Sequence, residues 1–321
     1  MAIIRRGSET VLLDVSWFWK PLIPVGKVTM LEGDGGEGKT TLILTVAAGL
    51  SVGQPPPTLQ DGRLIPADLV EPVSTFYLTN EDEIADSSLR RFIRAGGDTS
   101  RFYYSGELEH HVTLNEPELR QIIEESGARL IIIDPFQAFL PEKTHLGNIT
   151  RMREVFTMLS NVAKSTDTAI VLVGHLNKNE SGKDIHRGFG SADIAASVRS
   201  ILLVEMDKHR NRYVRAIKSN FDESDYSPIR LVFDENRCLS YQEVDPAQRT
   251  ELISAPRDEK KLSNTEALLQ DWLKEGPLPV SEIRKRLHNA GISFRTGQRA
   301  RLSLGVIKCS IGSDVHWKLP D

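Results

Sequence analysis

The sequence predicts an α/β fold, a parallel sheet with helices on both faces and a mixed edge, followed by a small helical unit with a β-hairpin. Three observations carry this. Short apolar runs alternate with amphipathic stretches from Gly26 to about Ser240, the pattern of β-α-β crossovers. A glycine-rich loop sits between one such run and a helix. After a polar segment, helix stop signals and Ser caps recur at short spacing from Leu262 to Asp321.

In chain order, Lys27–Leu31 reads as a strand and Thr40–Leu50 as a helix. Val73–Thr79 is a strand, and Glu83–Ala95 a helix stopped by Gly96 and Gly97. Asn115 and Pro117 open a further helix, which ends near Ser126 and Gly127. Arg129–Asp134 is a continuous apolar run, as expected of a strand buried on both faces. Ile149–Ser165 has helical apolar spacing, and Ala169–His175 is again a buried strand. Ile201–Met206, Arg212–Lys218 and Ile229–Phe233 read as a closing antiparallel set. Gly53–Pro72, with five prolines, reads as a surface insertion, and Glu243–Lys261 as an interdomain linker. The expected units are residues 1–242, a linker at 243–261, and residues 262–321. In the last unit, Ser263-Asn264-Thr265-Glu266 reads as a capping box, with Ser281 and Ser293 capping the next two helices. Two strands around a Gly-Ser-Asp turn then complete a winged helix-turn-helix outline. Gly297 lies inside its third helix, where it costs about 1 kcal/mol relative to Ala.

Composition bounds the function. The chain has 321 residues, 40% apolar and 26% charged, which excludes disordered and fibrous classes. No apolar run approaches the roughly 20 residues of a bilayer span, and no signal peptide is visible at the start. Without such a run no membrane partner is expected, and two cysteines, Cys238 and Cys309, build no disulfide framework, so a reducing cytoplasm is expected. The net charge is −4, yet Leu262–Asp321 holds nine Lys/Arg against six Asp/Glu. A mildly basic tail on an acidic body hints at nucleic acid.

The strongest chemical signal is Gly33–Thr40, GDGGEGKT, which fits the phosphate-binding P-loop. Gly33, Gly35, Gly36, Glu37 and Gly38 would turn successive backbone N–H groups towards phosphate oxygens. Lys39 would reach the β- and γ-phosphates of ATP, Thr40 would ligate Mg²⁺, and Thr41, in the first helical turn, is a further nucleotide-binding candidate. Asp134 ends a buried strand and is a candidate for holding Mg²⁺ through water, the alternative being a turn residue. Glu81 follows another strand end and is the candidate general base, with Asp82 the weaker choice and a solvated surface acid the alternative. His175 is a candidate γ-phosphate contact or a structural residue. All lie just past the carboxyl ends of predicted strands, the ligand edge of an open α/β sheet.

The segments PLIPVGKVTMLEGDGGEGKTTL, YLTNEDE, RLIIIDPFQAFL, VLVGHLNK, RGFGSADIAASVRS and RAIKSN occur in an order that resembles the RecA-like ATPases. The resemblance is to the branch holding plasmid RepA-type hexameric replicative helicases and related phage and bacterial ATPases (AAA_25-like). It implies the roles just given for Lys39, Thr40, Glu81, Asp134 and His175. It also implies a homo-oligomeric ring, a hexamer, with ATP between subunits and a basic residue supplied in trans. Arg212, Arg215 and Lys218 are the candidates. DnaB-type helicases carry K-x-R near this position, where this chain has Lys218-Ser219-Asn220. A charged hairpin face is the alternative.

By the same resemblance, loops at Pro141–Arg153 and Asn177–Asp193 would face a central channel. There Lys178, Lys183 and Arg187 would meet single-stranded DNA phosphates; a surface loop is the alternative. Arg295, Arg299 and Arg301 lie on the expected recognition helix for duplex DNA, though many winged helices bind protein. The reading is a Mg²⁺-dependent ATP hydrolase acting on DNA as a replicative helicase or helicase-like motor. Alternatives are a repair or recombination ATPase without unwinding, an ATP-switched DNA-binding regulator, and a small-molecule kinase.

Overall fold

The computed structural model describes residues 14–80, 84, 87–105, 113–141, 144, 148–175, 198–207, 209–221, 225–246, 248–249, 252, 257–274, 276–290, 292, 294–311 and 314–320. Two short strands come first, β1 (Trp17–Trp19) and β2 (Ile23–Pro24), then β3 (Val28–Gly33) and α1 (Lys39–Ser51). A hairpin follows, β4 (Thr58–Gln60) and β5 (Arg63–Ile65). Next are β6 (Thr75–Thr79), α2 (Ser88–Arg94), β7 (Phe102–Tyr104), α3 (Glu116–Ser126), β8 (Leu130–Asp134), α4 (Ile149–Thr166) and β9 (Ala169–His175). The unit closes with β10 (Ser200–Met206), β11 (Arg212–Ser219), β12 (Ile229–Phe233) and β13 (Leu239–Glu243).

Nine of these strands form one sheet in the order β13-β12-β11-β10-β3-β9-β8-β6-β7. From β10 to β7 every neighbouring pair is parallel, and β10-β11-β12-β13 pair antiparallel. The predicted antiparallel set is present and gains β13, while its first strand also pairs parallel with β3. Ile201–Met206 lies in the parallel layer beside β3, and its turn into β11 starts the mixed edge.

The apolar run of β8 shows why the sheet needs two covering layers. Leu130 and Ile132 enter one core with Leu42, Val46 and Phe92 of α1 and α2. Ile131 and Ile133 enter the other with Met152, Phe156 and Leu159 of α4 and Leu119 of α3. Alternation at period two splits one sequence run between opposite faces. Asn115 caps α3 by accepting from the Glu118 N–H at 3.0 Å, and Gly127 ends it in the left-handed region.

The proline-rich insertion is partly structured. Leu59 of β4 is buried, and the Trp19 indole N–H donates to the Pro57 carbonyl at 3.1 Å. The expected linker also departs from a free tether. Glu243 belongs to β13, and Val244 and Leu252 pack with Tyr213. Arg249 donates to the carbonyls of Gly62 and Val244, clasping the β4–β5 turn.

The C-terminal elements have their own core of Leu269, Leu273, Ile283, Leu287, Ala300, Val306 and Trp317. Helices span Arg257–Leu273, Val280–Asn289 and Phe294–Ser303. The first begins six residues before Ser263, so the expected capping box lies within a helix. Arg-Asp-Glu-Lys-Lys-Leu, a run of mostly good helix formers, extends it backwards. Likewise Pro279, not Ser281, stands at the N-cap of the second helix. The hairpin β15 (Ile307–Ile311) and β16 (Asp314–Lys318) gains a third strand, β14 (Leu278–Pro279), against β16.

Gly297 has a packing reason. A Cβ there would lie 2.4 Å from Leu287 Cδ1, on a fully buried side chain of the preceding helix. Gly297→Ala is therefore expected to destabilise the C-terminal core by about 1–3 kcal/mol, although Ala is the better helix former. Urea unfolding followed by tryptophan fluorescence would measure it; a stabilised variant would refute the close approach.

Candidate nucleotide site

β3 feeds the glycine-rich loop from the centre of the sheet, and α1 begins as the loop ends. Gly38 stands at the N-cap with φ 100°, in the left-handed region that favours glycine. The loop is held by its own side chains. Lys39 Nζ donates to the carbonyls of Gly33 (3.0 Å) and Asp34 (2.9 Å), and the Glu37 carboxylate accepts from the Asp34 N–H. Lys39 and Glu37 are both buried. The positive end of the α1 dipole adds to the Lys39 charge, so this loop suits a polyanion.

The neighbouring strand ends deliver the rest. β8 places Asp134 opposite Thr79 of β6. Its carboxylate Oδ2 accepts from Thr40 Oγ1 at 2.6 Å and from the Tyr77 hydroxyl at 3.3 Å. β9 sets the His175 backbone beside Gly33. Lys39, Thr40, Asp134 and the His175 backbone thus come to one sheet edge. Glu81 lies two positions beyond Thr79 and, with Asp82, outside the described residues; so does the His175 side chain.

The donor set fits Mg²⁺. A hydroxyl and a carboxylate, both hard oxygen donors, are already within hydrogen-bonding distance beside the phosphate loop. Mg²⁺ favours such a site, with one or two protein oxygens and the remainder from phosphates and water. Among the described residues, no group of three or more His, Cys, Asp or Glu forms a protein-only metal cage.

The three candidates for action in trans have different surroundings. Arg215 is buried and its Nε donates to Glu205 Oε1 at 2.9 Å, a pair internal to the subunit. Lys218 Nζ donates to the Val198 carbonyl at 2.7 Å; burial, then the Arg199 charge, lowers its pKa below the usual lysine value. Arg212 lies beside its own phosphate loop. Its Cδ is 3.7 Å from where a Gly38 Cβ would stand, and its guanidinium stacks on Phe233 at 5.2 Å. Sequence reasoning missed Phe233 and Tyr77 as neighbours of the site, since only strand register brings them there.

Lys178, Lys183 and Arg187 lie outside the described residues, as do the side chains of Arg295 and Arg299. Arg301 donates to the Val306 carbonyl at 3.0 Å and sits over Trp317 at 5.7 Å, so its guanidinium serves the fold of its own unit.

A phosphate loop on the central strand, with a hydroxyl and carboxylate positioned for Mg²⁺, defines a P-loop ATPase of the RecA-like class, which uses ATP with Mg²⁺. A model of the AAA domain family (AAA_25) matches residues 5–181, more than half of the chain. The protein belongs to this family. It is similar to "DNA repair protein RadA" of Mycobacterium tuberculosis strain H37Rv, 28% identical over 213 residues, covering 65% of this chain and 38% of that protein. The corresponding figures are 28% over 199 residues, 61% and 40%, for RadA of Streptococcus pneumoniae. For RadA of Helicobacter pylori they are 27% over 202 residues, 62% and 38%. The chain thus spans about two fifths of the length of these relatives. Among solved structures, the KaiC-like protein PH0186 of Pyrococcus horikoshii OT3 aligns with TM-score 0.46 and 13% identity, over 68% of this chain and 91% of that one. No helix among the described residues is long and apolar enough to cross a membrane.

Proposed function

We propose that this protein is a Mg²⁺-dependent ATP hydrolase that works on DNA as a homo-oligomeric ring, a helicase or helicase-like motor of the RepA group. The observation that carries the reading is the joint placement of Lys39, Thr40 and Asp134 at the end of β3 and β8. Lys39 gives up its two carbonyl contacts to bind the terminal phosphates. Thr40 and Asp134 hold Mg²⁺, which neutralises charge on the transferring phosphoryl group when bound. Glu81, two residues past the strand beside Asp134, orients the attacking water, and His175 meets the γ-phosphate from β9. Of the three residues proposed to act in trans, Arg215 and Lys218 are held within their own subunit, and Arg212 lies beside the phosphate loop of its own subunit.

The unit from Arg257 onwards is read as a winged helix, because three helices are followed by a hairpin, β15–β16, that pairs with the short strand β14 between the first and second helices. Arg295 and Arg299 on its third helix are the proposed duplex contacts. Lys178, Lys183 and Arg187 are the proposed single-strand contacts. Two free cysteines, Cys238 and Cys309, suit a reducing cytoplasm.

A second reading is a repair or recombination ATPase that binds DNA without unwinding it. The similarity to RadA proteins, which are named for DNA repair, favours it. ATP turnover with and without single-stranded DNA, with particle mass measured in parallel, tests both. DNA-stimulated turnover in a ring-sized particle is expected. Strand separation on a forked duplex then selects the motor, and its absence selects the repair reading. Turnover indifferent to DNA would overturn both.

A further inference from the structure

We propose that Tyr77 is a positioning residue for the magnesium site, holding the Asp134 carboxylate from behind and tying it to α2. This rests on the nucleotide-site reading above and extends it to a residue that contacts neither phosphate nor metal.

Tyr77 is fully buried in β6, with its ring stacked on Phe102 at a centroid distance of 6.0 Å. A phenylalanine would satisfy that packing. The hydroxyl instead adds a polar atom to an apolar core, which is costly unless it is hydrogen-bonded. It lies 3.3 Å from Asp134 Oδ2, the same oxygen that accepts from Thr40 Oγ1 at 2.6 Å. Two donors from different elements, β6 and α1, therefore converge on one carboxylate oxygen. Together they restrain rotation of the carboxyl group about its Cβ–Cγ bond. Outer-shell hydrogen bonds of this kind fix ligand geometry, and their loss commonly weakens metal binding about tenfold or more.

The contact continues outward. Ser88 Oγ, at the first residue of α2 and also fully buried, lies 3.5 Å from the Tyr77 hydroxyl. Ser88, Tyr77, Asp134 and Thr40 form a chain of hydroxyl and carboxylate groups from α2 through β6 and β8 to the start of α1. The segment leading into α2 is the one that carries Glu81. Tyr77 thus couples the element after the proposed water-orienting residue to the metal-holding carboxylate.

The test uses the full chain and two variants, Tyr77→Phe and Ser88→Ala. ADP affinity is measured in EDTA, and Mn²⁺ binding to the ADP complex is followed by the loss of the free-ion EPR signal. Tyr77→Phe is expected to leave ADP affinity in EDTA unchanged and to weaken Mn²⁺ binding about tenfold. Ser88→Ala is expected to weaken it less, in the same direction. Mn²⁺ affinity in Tyr77→Phe within twofold of wild type would overturn the proposal. So would loss of ADP binding by that variant in EDTA, which marks a general structural role. A wild-type chain that binds no ADP would overturn the nucleotide-site reading and this one with it.

Discussion

Lys39→Ala is expected to lower ATP turnover by roughly a hundred- to a thousandfold or more, measured as phosphate release by the full chain. The ammonium is buried at the loop, and the structure shows it donating to the carbonyls of Gly33 and Asp34. Those carbonyls are stand-ins for the phosphate oxygens it would reach with nucleotide bound. An interaction with charge that develops in the transition state, made in a water-poor site, is worth several kcal/mol of barrier. The fold should survive, because β3 and α1 are held by their apolar faces in the first core rather than by this side chain. Circular dichroism matching wild type, with turnover lost, is the expected pair of results. Wild-type turnover in the variant would remove the catalytic reading of the whole edge.

Glu205→Ala is expected to be the most destabilising of the substitutions discussed, by about 3–5 kcal/mol. Glu205 and Arg215 are diagonal neighbours on β10 and β11, with side chains 8% and 9% exposed and Nε to Oε1 at 2.9 Å. Removing the carboxylate takes the Glu205 charge away from a buried guanidinium. The cost is the desolvation of that charge, which the lost partner no longer offsets. Thermal unfolding should fall by roughly 5–10 °C. Glu205→Ala combined with Arg215→Met should recover part of the loss, because a buried apolar pair of similar volume needs no charge compensation. If the single variant melted like wild type, Arg215 would be free to act outside its own subunit, and the trans assignment would reopen.

Much of this protein is legible in local sequence. Arg129–Asp134 reads as a strand because a continuous apolar run must be covered on both faces, and its residues do divide between two cores. Asn115 with Pro117 and Gly127 fix both ends of α3 through cap chemistry, independently of the rest of the fold. The glycine-rich loop is equally local: glycines and one lysine, between strand and helix, leave few other readings. Short or exposed pairings were less accessible. β7, β13 and β14 have three, five and two residues, and their pairing partners supply what their own pattern lacks. The capping box at Ser263 was a correct local motif in the wrong context. The residues before it are also good helix formers, and the longer helix prevailed.

What the sequence alone determined is the longer buried strands, the glycine-rich loop that fits a phosphate, and the acid Asp134 at the end of one of those strands. The backbone preferences and apolar periods that decide those things act over a few residues. Tertiary structure decided the pairings between distant residues. Register brought Tyr77 to Asp134, the β10–β11 hairpin closed Glu205 on Arg215, and Arg212 came to rest against its own Gly38. A side chain's charge is written in its codon, but whether that charge is spent inside the fold or left for a ligand depends on what the sheet order places beside it.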